Sequence, residues 1–379
     1  MSSTLLSFPY YRSNPYLTML TVAPRAAGWD VVEGVRGLRR LEARAEHLGR
    51  GDVLHVHWTS PVTSGCESLE EAWANAARFE DVLSGVRDRG GDVLWTVHNS
   101  IAHEADYVDV ELAVAKALAS NATRIIQLNP ATVEETAAYY ALPPDKVVDL
   151  PHSSYLGVYP DGGDDAASRE RIGVPQGVPT VGFIGQIRAY KGLDVLCRAV
   201  EIAAEQVPDL TFVVAGKVVP ATDVEAVEEM LSAPNIVKRI GFVETADFSD
   251  WMRASDVVAL PYRRILNSGS LLAAGTFGRT ALIPEDTAVA RQFADQPWVV
   301  RYAPEPDEPA ALAAAILEAL DGQKARHRAA HEFTRAYTPY DMSRDYLRLL
   351  DCVGLDTPPP SGSGGSTSGG RSDLEGAAR

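Results

Sequence analysis

Residues 180–200 read TVGFIGQIRAYKGLDVLCRAV. An apolar run ends at Gly185, a short loop carries Arg188 and Lys191, and an apolar pattern of helical period follows. That order predicts strand, tight turn and helix. The chain carries 51 Asp and Glu against 35 Lys and Arg, a formal net charge of −16. Two cations at such a junction in so acidic a chain point to an anionic ligand, because a helix start adds free N–H groups and a favourable dipole. A second junction lies downstream in ALPYRRILNSGSLLAAGTFG, residues 259–278. A strand ends at Pro261, a loop carries Tyr262, Arg263 and Arg264, and Asn267, Ser268, Gly269 and Ser270 open a helix. Ser268 suits an N-cap, Gly269 leaves the backbone open to a ligand, and Ser270 adds a hydroxyl. Two such junctions in one half of a chain predict a diphosphate.

Around these stretches the chain alternates between strand and helix patterns. In the first half STLLSF, DVVEG, DVLHVHW, DVLWTVHN, TRIIQLN and KVVDLPH read as strands, with helices between them. NPYLTMLTVAPRAAG reads as one helix, capped by Asn14 with Pro15 at its first position. A connector rich in Gly, Pro and Asp covers 156–178, and a second series of strands (TVGFIG, LTFVVAG, IVKRIGF, DVVALPY, TALIP) follows. The pattern predicts an α/β protein of two doubly wound, Rossmann-like domains facing across a cleft. Ligands of such sheets sit at the carboxyl ends of the strands. In the first half those ends carry His57 with Trp58, His98 with Asn99, Asn129, and His152.

Composition sets limits on function. The acidic balance argues against nucleic acid as a partner. Three scattered cysteines, Cys66, Cys197 and Cys352, form neither a disulfide framework nor a metal-spacing motif, so no metal is expected and a reducing cytoplasm is. The N-terminus lacks the marks of a signal peptide, and no apolar run approaches the ~20 residues of a spanning helix.

The succession of GQIRAYKG, FVVAGK, IVKRIGFVETADFSDWMRASDVVALPY and a Ser-Gly helix start resembles the C-terminal domain of GT-B glycosyltransferases of the "group 1" class, which includes glycogen and sucrose synthases. PYYRSNPYLTML, DVLHVHW and WTVHNSIAHE more loosely resemble bacterial mannosyltransferase-like members. The resemblance implies an acceptor domain over 1–155, rejoined by a C-terminal helix at 340–356, and a donor domain over 156–339. Residues 357–379 form a low-complexity tail expected to be disordered. It further implies a nucleotide-diphosphate sugar as co-substrate, with GDP-mannose favoured over a UDP-sugar, and no obligatory cofactor or metal. Arg188 and Lys191 would contact the donor diphosphate. Gly185 would form the turn there, and Asn267, Ser268, Gly269 and Ser270 would close around phosphate and sugar. Gly216 and Lys217 would lie beside the nucleotide, the backbone near Phe242 and Val243 would face the base, and Arg12 and Asn14 would approach the diphosphate from the other side. His57, Trp58, Asn99, Asn129 and His152 would line the acceptor side. The acceptor would be a glycan, a lipid-linked sugar or a small metabolite.

The chain also departs from that family. Many relatives place an arginine directly after the glycine, where this chain has Gln186. Many carry two glutamates spaced by seven residues around the last helix start, and those positions fall on Ile265 and Ala273. Their absence leaves inversion open, with an acceptor-side base deprotonating the acceptor: Glu104 first, with His103 and His98 from the same HNSIAHEAD stretch and His57 as alternatives. It equally leaves open an inactive relative that binds a sugar nucleotide or supports a partner. In VRGLRRLEARAEHLG, Arg36, Arg40 and Arg44 share one helical face opposite Leu38, Leu41, Ala45 and Leu48. That face is a candidate for weak peripheral contact with the inner side of a membrane, although a solvated face over a core stripe explains it as well.

Overall fold

The computed structural model describes residues 2–102, 105–160, 163–219, 222–263 and 265–353. Among these residues twelve strands form two six-stranded sheets in which every pairing is parallel. The first holds β1 (Thr4–Phe8), β2 (Asp30–Val32), β3 (Val53–Val56), β4 (Asp92–Val97), β5 (Arg124–Gln127) and β6 (Val147–Asp149), in the order β2-β1-β3-β4-β5-β6. The second holds β7 (Thr180–Ile184), β8 (Thr211–Gly216), β9 (Ile236–Ile240), β10 (Val257–Ala259), β11 (Thr280–Pro284) and β12 (Val299–Tyr302), in the order β12-β11-β10-β7-β8-β9. Central strands such as β4 and β8 are buried along their whole length, which is why they read as unbroken apolar runs rather than alternating ones. The edge strand β9 exposes Lys238 and Arg239, charges that discourage pairing with another chain.

In each sheet the winding direction reverses once, between β1 and β3 and between β7 and β10. A crevice opens at such a reversal because the connections leave to opposite faces. His57 follows β3, and the two cation-bearing loops follow β7 and β10. Topology therefore brings the stretches singled out by sequence to the crevices of their sheets.

The helix expected over the NPYLTMLTVAPRAAG stretch breaks at Thr21 into Pro15–Leu20 and Val22–Ala26. Pro24 has no N–H to donate to the Leu20 carbonyl. Ser343 of the C-terminal helix Pro339–Cys352 donates to that carbonyl instead (2.8 Å) and accepts from the Ala23 N–H (2.7 Å). The C-terminal helix thus returns to the first half, started by a capping box between Thr338 and Asp341. Before it, the helices Glu308–Leu320 and Gln323–Ala336 are separated at the left-handed Gly322. One apolar cluster contains Leu5, Leu17 and Leu20 together with Leu271, Trp298, Met342 and Tyr346, so the two halves share core.

The loop after β7 continues alongside β8. Gly185 N–H donates to the Ala215 carbonyl and Ile187 N–H to the Lys217 carbonyl, both at 2.9 Å. At the crossing, a Cβ on Gly216 would lie 1.7 Å from the Gly185 carbonyl oxygen. No side chain fits there without moving backbone. Gly216→Ala is expected to destabilise the fold by ~3 kcal/mol, in the range of strained overpacking, read as a lowered urea midpoint. An unchanged midpoint would mean that the crossing is not tight.

Candidate active site

On the second sheet, the loops after β7 and β10 pack against each other. Arg263 N–H donates to the Tyr190 carbonyl at 3.1 Å, and a Cβ on Gly192 would meet the Pro261 carbonyl at 2.3 Å. Arg188 precedes a 3-10 turn, Ala189–Lys191, and the α-helix begins only at Leu193 after the left-handed Gly192. This turn points Lys191 back over Gly185. A Cβ on Gly185 would stand 3.6 Å from both Lys191 Nζ and Ser270 Oγ. The ammonium also lies 5.3 Å from the Tyr262 ring centroid, and it forms no ion pair among the described residues. Burial, with Arg188 adding repulsion, pushes Lys191 down to about 8. The result is a cradle with one desolvated cation and one hydroxyl above a bare glycine.

The first sheet presents a different chemistry. His55, His57, His98 and His152 gather with Tyr16 and Trp58. His55 and His57 have ring centroids 3.9 Å apart, Trp58 stacks on His98 at 4.3 Å, and Tyr16 lies 5.2 Å from His98 and 4.9 Å from His152. His55 is wholly buried between the Tyr346 hydroxyl (2.7 Å) and Thr96 Oγ1 (2.8 Å). Burial pushes its imidazole down to about 3, with His98 adding repulsion. His152 falls to about 4 for the same primary reason, although it faces the Ser153 carbonyl. Burial also holds His57 and His98 well below the usual range, each repelled by neighbouring imidazoles. All four are therefore neutral near pH 7. His57 Nδ1 lies 3.5 Å from His98 Nε2, and His57 Nε2 has no partner among the described residues. A small cleft of about 60 Å³ beside the cluster is walled by His57, Trp58, Trp95, His98, Asn99 and Glu111.

Other residues predicted from the sequence occupy varied places. Asn14 caps its helix through the Tyr16 N–H, and Ser268 caps Gly269–Thr276 through the Leu271 N–H, each at 3.1 Å. The space above Gly269 holds the Tyr155 hydroxyl, 2.6 Å from where a Cβ would be. Asn129 is buried: its amide donates to the Leu266 carbonyl (2.8 Å) and its oxygen accepts from Ala131 N–H (2.9 Å). Asn267 likewise donates to the His98 carbonyl at 3.0 Å. Both asparagines tie the halves together. Arg12 is exposed and paired with Glu33, and Lys217 is exposed. Val243 is half-buried beside the exposed Phe242. Glu104, His103 and Arg264 lie outside the described residues, as does the tail from 354 onward.

Two residues escaped the sequence reading. His55 looked like part of an apolar strand, yet it centres the imidazole cluster. Glu111, within the helix Val108–Asn121, is 4% exposed and accepts from Thr59 Oγ1 (2.8 Å) and Thr63 Oγ1 (2.6 Å) at the cleft wall. A glutamate on a predicted amphipathic helix gives no signal that it faces inward. Among the described residues no group of three or more His, Cys, Asp or Glu is arranged to hold a metal. No helix there is long and apolar enough to cross a membrane.

The family model described as "Glycosyl transferases group 1" matches residues 178–322. Over 356 residues the chain is 27% identical to the GDP-mannose:glycolipid 4-beta-D-mannosyltransferase of Xanthomonas campestris pv. campestris, covering 92% of this chain and 91% of the relative. Its fold matches Anabaena HepE, solved with UDP and glucose, at a TM-score of 0.71 and 12% identity, covering 93% of this chain and 100% of that one. It also matches sucrose-phosphate synthase from Thermosynechococcus elongatus at a TM-score of 0.72 and 16% identity, covering 93% and 98%. The chain has the GT-B fold, as the sequence resemblance implied, and its residues 178–322 are similar to a group 1 glycosyltransferase domain.

The imidazole cluster has a consequence for stability. Unfolded imidazoles take up protons near pH 6.5, whereas folded His55 resists until about 3, so the unfolded state binds more protons in that window. Stability is expected to fall as pH drops from 6.5 towards 3, by up to about 1.4 kcal/mol per pH unit for each such imidazole. Urea midpoints at pH 7 and pH 5 should differ less in His55→Gln than in wild type. An equal difference in both would remove His55 as a source.

Proposed function

We propose that the protein transfers mannose from GDP-mannose to a hydroxyl of a glycolipid, with inversion at the sugar carbon. The observation that carries the reading is the ammonium of Lys191, desolvated and without a carboxylate partner among the described residues, set with Ser270 over Gly185 in a chain that matches a GDP-mannose-using relative almost end to end. A diphosphate entering the cradle supplies the missing counter-charge and restores the proton affinity that burial takes from the lysine. Arg188, on the same loop, adds a second cation. Together they offset the charge that grows on the diphosphate as it leaves.

The sugar then lies between the cradle and His98, and the acceptor enters the cleft bounded by Trp58 and Asn99. The relative's name specifies a β-linked product. From an α-linked nucleotide sugar such a product requires attack from the opposite face. In that step a base takes the proton of the acceptor hydroxyl, its oxygen bonds to the anomeric carbon, and the carbon–oxygen bond to the diphosphate breaks with the pair leaving on oxygen. Glu104 is the first choice for the base, ahead of His103 and His98. The apolar residues at 265 and 273 agree with this route, since it needs no carboxylate on the donor side.

Mass action raises apparent stability when a ligand binds only the native state. GDP is expected to raise the melting temperature of wild type and not of Lys191→Met. The shift should shrink as pH rises through about 8, where the free lysine loses its proton. A shift with UDP alone would move the donor to a UDP-sugar, and no shift with either would sink the reading. Glu104→Gln should retain the GDP shift and lose about 10²- to 10⁴-fold in turnover of GDP-mannose with lipid extract as acceptor. Turnover equal to wild type would pass the role of base to another residue.

A further inference from the structure

A second concavity, a groove of about 400 Å³, opens on the first half between the helices Leu38–Ala45 and Leu69–Asp88. Arg36, Arg39, Arg40 and Arg78 line it, with Ser64 and Asn75. Arg78 is neutralised by a two-pronged pair with Glu42 (2.8 and 2.5 Å). Arg36, Arg39 and Arg40 are exposed and form no ion pair among the described residues. Glu71 also lines the groove, and its Oε2 accepts from the Glu67 N–H at 2.8 Å. Three unpaired guanidinium groups around one concavity are costly to assemble by mutual repulsion. In a chain with a surplus of 16 acidic charges, carboxylates are abundant, yet neither Glu71 nor Glu42 forms an ion pair with Arg36, Arg39 or Arg40 among the described residues.

The apolar stripe on the same helix is already used. Leu38, Leu41, Ala45 and Leu48 are all buried in the first half's core, so no greasy face remains there for insertion into lipid. What faces outward is cationic and hydrogen-bonding. The groove also adjoins the candidate acceptor cleft. Ser60 lines the cleft and its neighbour Pro61 lines the groove. The Arg36 guanidinium stands 5.8 Å from the Tyr11 ring centroid, Tyr11 lies 5.8 Å from Trp58, and Trp58 stacks on His98.

We propose that this groove binds the phosphate ester of the acceptor, holding it by Arg36, Arg39 and Arg40 while the acceptor's sugar reaches past Tyr11 into the cleft beside Trp58 and His98. The assignment rests on the reading of the cleft as an acceptor site and narrows the acceptor to a phosphorylated molecule. Planar guanidinium forks suit phosphate oxygens, and several of them on one group give both affinity and orientation. The phosphate belongs either to a soluble ester or to a lipid headgroup, and both present the same chemistry to the groove.

The test uses the full chain and inorganic pyrophosphate at low ionic strength, followed by calorimetry. Wild type is expected to bind at two sites, in the donor cradle and in the groove. Lys191→Met should keep only the groove site. Arg39→Glu/Arg40→Glu should keep only the cradle site, with groove affinity weakened about tenfold or more. Arg44→Glu, on the same helix but outside the groove, should match wild type, and thermal melts confirm folding of the exposed-site variants. Two sites retained in Arg39→Glu/Arg40→Glu would overturn the proposal and leave the donor reading intact. Loss of the groove site in that variant, with Lys191→Met unchanged from wild type, would support the groove and sink the donor cradle. Co-sedimentation with phosphatidylglycerol vesicles but not phosphatidylcholine vesicles, abolished in the double variant, would support a lipid headgroup as the source. Pyrophosphate binding without co-sedimentation would support a soluble ester.

Discussion

The loop between β10 and the helix Gly269–Thr276 plugs one half of the molecule into the other, and the site depends on that plug. Leu266, 4% exposed, belongs to the apolar cluster of the first half with Phe8 and Trp95. Burying one leucine contributes on the order of 2 kcal/mol. Direction comes from the hydrogen bonds on either side of it. Asn129 holds the Leu266 carbonyl, and Asn267 holds the carbonyl of His98. Ser268 caps the following helix, and Ser270 reaches the space above Gly185. A single turn of chain therefore fixes the Lys191–Ser270 cradle relative to His98, the imidazole that follows β4. The ion pair of Arg291 with Glu135 and the hydrogen bond from Gln292 to the Leu128 carbonyl add ties along the same seam.

The two sides of the crevice are electrostatic opposites. On the proposed donor side Lys191 is desolvated and has no ion-pair partner among the described residues, which would suit it to a diphosphate. On the other side burial and crowding hold four imidazoles neutral, so they present hydrogen-bonding edges and aromatic faces without adding positive charge. The cationic groove beyond Tyr11 restores positive potential outside the cleft. Charge is thus graded along the crevice from cradle to cluster to groove, although the chain as a whole is acidic.

The C-terminal helix serves both halves. Ser343 completes the hydrogen bonding that Pro24 interrupts, and the Tyr346 hydroxyl meets His55 behind the imidazole cluster. Groups separated by some 300 residues in sequence thereby settle the position of the cluster. Tyr155, close to the passage between halves, fills the space over Gly269 and stands 3.3 Å from His152 Nε2.

The sequence alone determined the features that rest on local patterns. These are the alternation of strand and helix, the parallel doubly wound sheets which that alternation implies, the caps at Asn14 and Ser268, and the cations of the β7 loop. Each follows from a few neighbouring residues, and the family resemblance of 178–300 rests on the same local motifs. Tertiary structure alone decided which polar groups are free to meet a ligand. Asn129, Asn267 and Gly269 read as site residues, but long-range packing gives them the Leu266 carbonyl, the His98 carbonyl and the Tyr155 hydroxyl as neighbours. His55 and Glu111 read as ordinary members of a strand and a helix, and the surrounding elements turn them inward at the cluster and the cleft. A hydrogen bond between distant residues leaves no period in the sequence, because its partner is set by how the sheets and helices stack rather than by the spacing of residues along the chain.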